Sequence, residues 1–153
     1  MKPIIGWREW VVLPLLHRNP IKAKIDTGAR TSALHAARIR PLQVNGADWV
    51  EFELDRRDLP NASAPFRVPL SGQRTVRNSG GRAEERYLIE TMLRLGDDEW
   101  PVELTLTARH AMSFPLLIGR TAVRRRFVVD PGRSYLLAKR TGKRRNIGRN
   151  RAY

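Results

Sequence analysis

The chain contains no cysteine. That absence excludes a disulfide framework, an iron–sulfur cluster, a thiolate zinc site and a cysteine nucleophile together. Long apolar runs are missing too, and none approaches the length of about 18 residues that crosses a bilayer as a helix. The opening MKPIIGWREWVVLPLL is apolar only in pieces. Arg8 and Glu9 interrupt it and no small-residue cleavage site follows, so neither a signal peptide nor a membrane contact is expected, and a cytoplasmic protein is the default. Acidic side chains are scarce, with 15 Asp and Glu against 29 Lys and Arg. The deficit is uneven. Residues 1–119 hold 17 basic and 14 acidic side chains, whereas residues 120–153 hold 12 basic ones and the single acid Asp130. The chain thus reads as a nearly balanced body with a cationic end, and such an end attracts polyanions whatever the body does.

At 153 residues, of which 41% are hydrophobic, the chain fits one domain that buries roughly 70% of its unfolded surface. Residues 1–138 are expected to form that domain, and residues 139–153, KRTGKRRNIGRNRAY, a frayed basic tail. Within the body, short strands alternate with turn chemistry. Trp10–Leu13 and Ala23–Ile25 are apolar or alternating, and W-V-E-F-E-L at Trp49–Leu54 has the period of two that suits a half-buried strand. Tyr87–Leu95, the turn residues Gly96, Asp97 and Asp98, and the alternating Val102–Thr107 predict a hairpin. Asp130, Pro131 and Gly132 predict another, between Phe127–Val129 and Tyr135–Leu137. Helices are expected only at Ser32–Arg38 and Thr121–Arg126, while Asp55–Pro65 and Ser71–Glu85 read as mobile. The pattern predicts an all-β barrel or sandwich.

The chemistry-bearing segment is Ile25-Asp26-Thr27-Gly28-Ala29-Arg30-Thr31-Ser32, where an alternating strand runs directly into Asp-Thr-Gly. Alone, that tripeptide serves any strand-to-turn junction. Far downstream, however, Phe114-Pro-Leu-Leu-Ile118-Gly119-Arg120 is an apolar strand closing on Gly-Arg. The pairing resembles that of retroviral-type aspartic proteases, in which an apolar-apolar-Gly strand buttresses an Asp-Thr/Ser-Gly loop and a glycine-bearing hairpin between them forms a flap. More closely, the chain resembles a bacterial family labelled ATP-dependent zinc proteases. The matching residues are Gly6–Trp10, Ile25–Leu34, Arg77–Gly80 with Glu84 and Arg86, and Leu117–Arg120.

That resemblance implies a retropepsin-like closed β-barrel with a short helix after Gly-Arg, active as a homodimer. It implies catalytic roles for Asp26, Thr27 and Gly28, with Thr27 hydrogen-bonding across the dimer floor. Substrate contacts are expected from Ala29 and Arg30, from Arg77, Asn78, Ser79 and Gly80 of the flap, and from Arg120. Hydrolysis without a metal needs one group to deprotonate water and another to protonate the carbonyl, and two apposed carboxylates sharing a proton do both. One Asp-Thr-Gly per chain therefore calls for a second copy across a two-fold axis.

The zinc and ATP parts of the family label find no support in the residues. His17, His35 and His110 are scattered and none lies in H-E-x-x-H; no G-x-x-x-x-G-K-[ST] loop occurs. No cofactor is expected.

Arg30 stands where retroviral enzymes carry an Asp that pairs with the Arg of Gly-Arg. Arg30 and Arg120 therefore need other anions. Either a protein carboxylate such as Glu84 supplies them, or acidic, glutamate-rich peptide substrates do, consistent with the association of such families with glutamate-adding ligases. The competing class is a non-catalytic basic barrel whose tail binds RNA or the ribosome, or that merely binds acidic tails. Trp7, Trp10, Trp49 and Trp100 are expected in the core or at the barrel rim.

Overall fold

The computed structural model describes residues 1–55, 59, 65–78, 80–108 and 113–137. The basic tail, Ser79, His110 and most of the Asp55–Pro65 segment lie outside the described residues. Ten strands and one short helix follow one another: β1 (Ile4–Leu13), β2 (His17–Asp26), β3 (Ser32–Val44), β4 (Ala47–Leu54), β5 (Phe66–Pro69), β6 (Gly72–Arg77), β7 (Ala83–Leu95), β8 (Asp98–Thr107), β9 (Leu116–Gly119), α1 (Arg120–Val123) and β10 (Val128–Ser134).

Alternation decides which faces turn inward. In β2, Ile21, Ala23 and Ile25 are buried between the exposed Lys22 and Lys24. Six strands in the order β1-β2-β9-β3-β8-β7 close into a barrel, because β7 returns to β1 at Val12 and Arg94. Closure removes the sheet edges that would otherwise stay unpaired. Ile5, Leu13, Ile21, Leu34, Leu104, Leu116 and Ile118 fill the interior at essentially zero exposure. Each such aliphatic side chain contributes about 1.5–3 kcal/mol by leaving water. Beyond the barrel, the far half of β3 pairs with β4 and β5, while β6 extends β7 and β10 extends β1. Among the described residues no helix is long and apolar enough to cross a membrane. The all-β closed barrel with a short helix after Gly-Arg that was expected from the sequence is the observed architecture.

Three local expectations are corrected. Ser32–Arg38 is the start of β3, not a helix: Ser32 to His35 pair in parallel with Leu104 to Thr107, and Ala33 and Leu34 pair with β9. Alanine-rich Ser32–Ala36 is buried throughout, so pairing on both sides overrides local propensity. Asp130-Pro-Gly makes no hairpin. Its residues belong to one strand running parallel to β1, in which Asp130 Oδ1 accepts the Gly132 N–H at 2.9 Å. The Thr121–Arg126 helix shrinks to the four residues of α1, followed by a turn. By contrast, the β7–β8 hairpin is as predicted, with Leu95 opposite Asp98 and Gly96 at φ +63°.

The segment after β10 is pinned by a buried acid. Glu9, fully buried, accepts N–H groups from Gly6 at 2.7 Å, Leu136 at 2.8 Å and Leu137 at 3.3 Å. A carboxylate in the interior is tolerated because its oxygens are hydrogen-bonded there. Gly6 permits the close packing, since a Cβ there would sit 2.2 Å from the Arg133 carbonyl oxygen.

Candidate active site

β2 delivers Asp26 to the barrel's open side, where the chain turns. Asp26 Oδ1 accepts the Gly28 N–H at 3.0 Å and the Asp26 carbonyl accepts the Ala29 N–H at 3.1 Å. This is an Asx-type turn, which fixes the carboxylate with its own backbone. Asp26 is half-buried, whereas Thr27 and Gly28 are exposed.

Behind this loop lies β9, inserted between β2 and β3 so that Gly119 is level with Asp26. Gly119 touches backbone: a Cβ there would lie 2.6 Å from both the carbonyl carbon and the oxygen of Thr31. Ser32 Oγ accepts the Gly119 N–H at 3.0 Å. Next along, the Arg120 N–H donates to the Ala29 carbonyl at 2.8 Å, and Thr121 Oγ1 donates to the Arg30 carbonyl at 2.7 Å. The Arg120 guanidinium donates to the Gly28 carbonyl at 3.3 Å. The buttress expected from the resemblance is therefore present, and it holds the carbonyls of Gly28, Ala29 and Arg30.

Across from the loop stands the β6–β7 hairpin, in register from Gly72–Leu88 to Arg77–Ala83. Its turn is organised by Asn78, whose Oδ1 accepts N–H groups from Gly80 at 2.9 Å and Arg82 at 3.0 Å. Gly81 sits at φ +83°, and Arg77 donates to its carbonyl at 2.9 Å.

Loop and hairpin enclose a groove of about 610 Å³. Of the residues singled out from the sequence, Asp26, Gly28, Ala29, Arg30, Arg77 and Asn78 line it; Thr27, Gly80 and Arg120 do not, and Ser79 is outside the described residues. Thr27 and Gly80 are exposed beside it, and Arg120 acts from behind. Reading the sequence missed Lys24, Thr107 and Phe114 as lining residues. Lys24 was findable, because it lies two positions before Asp26 on the same face of an alternating strand.

Charge in the groove is one-sided: Lys24, Arg30, Arg74, Arg77 and Arg86 line it, with Asp26 the only carboxylate among the described lining residues. Of the two alternatives for Arg30, the pair with Glu84 is not formed. Glu84 instead accepts from Arg86 at 3.1 Å, and Arg30 has no ion pair among the described residues. Arg74 reaches Glu103 at 3.4 Å. No three His, Asp or Glu side chains converge among the described residues, and the buried His35 is engaged with Asp55 at 3.8 Å. The described residues thus offer no three-ligand set for a zinc ion.

The profile of the RimB-like family, described as retropepsin-like aspartic endopeptidase RimB, matches residues 4–140. The chain belongs to the RimB-like family. Curated relatives include a probable alpha-L-glutamate ligase of Shewanella pealeana, 39% identical over 142 residues, and one of Parasynechococcus marenigrum, 44% identical over 137. The matches cover 91% and 89% of this chain but only 31% and 29% of those proteins, so the RimB-like chain spans less than a third of the relatives it matches. A solved structure, Lpg0085 of Legionella pneumophila, described as a protein of unknown function, superposes with a TM-score of 0.73 at 24% identity, covering 90% of this chain and 99% of that one. It shares the fold.

Proposed function

We propose that this RimB-like chain is an aspartic endopeptidase whose catalytic unit is a C2 homodimer, with one Asp26 from each copy. The observation that carries the proposal is Asp26 itself: half-buried, held by the Gly28 N–H, and the single carboxylate among the described lining residues of a groove of about 610 Å³. Two such carboxylates at close range share one proton. The ionised one takes a proton from water as the water attacks the scissile carbonyl, and the protonated one gives its proton to the carbonyl oxygen. Collapse of the tetrahedral intermediate, with proton return to the amine, releases both products. Thr27, exposed beside the dyad, braces the two loops against each other across the axis.

The groove prefers acidic peptides. Five cationic side chains surround one catalytic carboxylate, and the relatives that contain this region are named for glutamate ligation. Glutamate-rich protein tails are the expected substrates, in a cytoplasmic setting. Profiling a peptide library by mass spectrometry tests this. Cleavage close to Glu or Asp, insensitive to chelators and absent in Asp26→Asn, is expected; cleavage indifferent to acids ends the specificity claim, and cleavage by Asp26→Asn ends the mechanism. A second reading, an RNA- or ribosome-binding barrel, is favoured by the 12 basic side chains after residue 119. It requires salt-sensitive RNA binding that disappears when residues 139–153 are removed, with no peptide cleavage by the intact protein.

A further inference from the structure

On the outer face of the barrel next to the groove, β1 and β2 set two cations against each other. Arg8 is directly opposite Lys24 in the antiparallel register, which puts both side chains on one face with their Cβ atoms about 5 Å apart. Like charges so placed destabilise a sheet. Elsewhere in this molecule the same situation is relieved: Arg74 opposes Arg86 in the β6–β7 hairpin, but each has its own carboxylate, Glu103 and Glu84. No carboxylate pairs with Arg8 or Lys24 among the described residues. Lys22, two residues back on the same face, likewise has none.

Arg8 is also immobilised. Its guanidinium carbon lies 4.6 Å from the centre of the Trp7 ring and 5.1 Å from that of Tyr135, and its Nε donates to Ser134 Oγ at 3.1 Å. Tyr135 stacks on Trp10 at 5.7 Å, and Lys22 lies 5.6 Å from the centre of Trp10. Trp7 in turn meets Phe114, a groove residue, edge-on at 5.9 Å. A half-buried arginine clamped by two aromatic rings and one hydroxyl, with its terminal nitrogens left over, is a preorganised receptor for a carboxylate.

We infer that Arg8 and Lys24 form a specificity subsite that binds a side-chain carboxylate of an acidic peptide running out of the groove over β2. Lys24 is two residues from Asp26 on one strand face, about 6.6 Å away along the strand, so the acid read here is a near neighbour of the scissile bond rather than a distant anchor. A nucleic acid is the poorer occupant. Trp7, Tyr135 and Trp10 are already engaged with Arg8, Lys22 and one another, which leaves no stacking platform for bases. The substrate class rests on the peptidase reading above; the receptor geometry does not.

The test is equilibrium binding, which separates the subsite from the chemistry. Asp26→Asn protein is titrated with a Glu-rich decapeptide, its Gln counterpart and a single-stranded RNA oligomer at low salt. The same titrations follow with Arg8→Gln and Lys24→Gln added singly and together, and with Arg8→Lys, which keeps charge but loses the clamped fork. Each Gln variant is expected to weaken the Glu peptide about tenfold and the Gln peptide hardly at all, with Arg8→Lys closer to Arg8→Gln than to the parent. Thermal melting confirms folding, and Lys24→Gln, an exposed change, keeps the test valid should Arg8 variants unfold. Unchanged affinity for the Glu peptide in Lys24→Gln overturns the proposal, as does RNA binding that falls in these variants while Glu-peptide binding does not. If these losses appear but wild-type protein cleaves no peptide, the subsite stands and the peptidase reading fails.

Discussion

The groove has two walls, and they are built differently. The Asp26 wall is backbone against backbone. Gly119 packs onto Thr31 with no room for a Cβ, and the carbonyls of Gly28, Ala29 and Arg30 are each taken by Arg120 or Thr121. The hairpin wall is a two-stranded ribbon whose turn is held by one side chain, Asn78, with space around its glycines. Charge follows the same division. Of the hairpin cations that line the groove, Arg74 and Arg86 have their own acids, Glu103 and Glu84, and Arg77 donates to the Gly81 carbonyl, while Arg30 and Lys24 on the other wall have no ion pair among the described residues. A fixed wall that carries unmatched charge is suited to hold the reacting group and read substrate. A looser wall with most of its charge matched is suited to cover it.

The sharpest way to break this comparison is to change each wall's key residues in turn. Asp26→Asn is expected to lower kcat/KM for an acidic peptide by about 10³-fold or more with little change in melting temperature, since the Gly28 N–H keeps an acceptor. Gly119→Ala should destabilise the fold by about 1–3 kcal/mol in urea titrations, because the new methyl meets backbone that cannot yield. Gly80→Ala in the hairpin, where a Cβ meets only the Asn78 amide oxygen at 3.4 Å, should stay within about 0.5 kcal/mol. Equal costs at the two glycines would erase the distinction between the walls. Glu84→Gln should tighten acidic-peptide binding several-fold, read by calorimetry, because it releases the groove-lining Arg86.

The smallest effect lies away from both walls. Burial pushes His17 below its usual 6.5, so the unfolded chain takes up its proton first as pH falls. Stability is therefore fully present above 6.5 and declines as pH drops from there towards the lowered folded value. His17→Gln should flatten that part of the melting temperature against pH profile between pH 7 and 5 by a degree or so, a control that neither wall should influence.

Much of this division was legible in the sequence, but not all of it for the same reason. The Asp26 wall could be read because Asp-Thr-Gly at a strand end and Gly119 at the close of a distant apolar run together resemble a known pairing, which neither stretch would have indicated alone. The β7–β8 hairpin was local, with two alternating strands about Gly96. Ser32–Arg38 was misread as helix because its alanines speak for propensity, while its strand state comes from β8 and β9, more than 70 residues away. The same distance hid the end of the barrel, where Glu9 captures Leu136 and Leu137 across 127 positions or more. Arg8 and Lys24 were invisible as a pair for this reason too: only the β1–β2 register sets them side by side.

The central claim is that one chain carries half of a catalytic centre, and subunit mixing tests it most directly. Wild-type and Asp26→Asn chains, unfolded and refolded together at fixed total concentration, give mixed dimers with a single Asp26. If both copies are required, peptidase activity follows the square of the wild-type fraction, falling to about a quarter at an equal mixture. Activity that falls only in proportion, to one half, would mean that each chain works alone and would contradict the account.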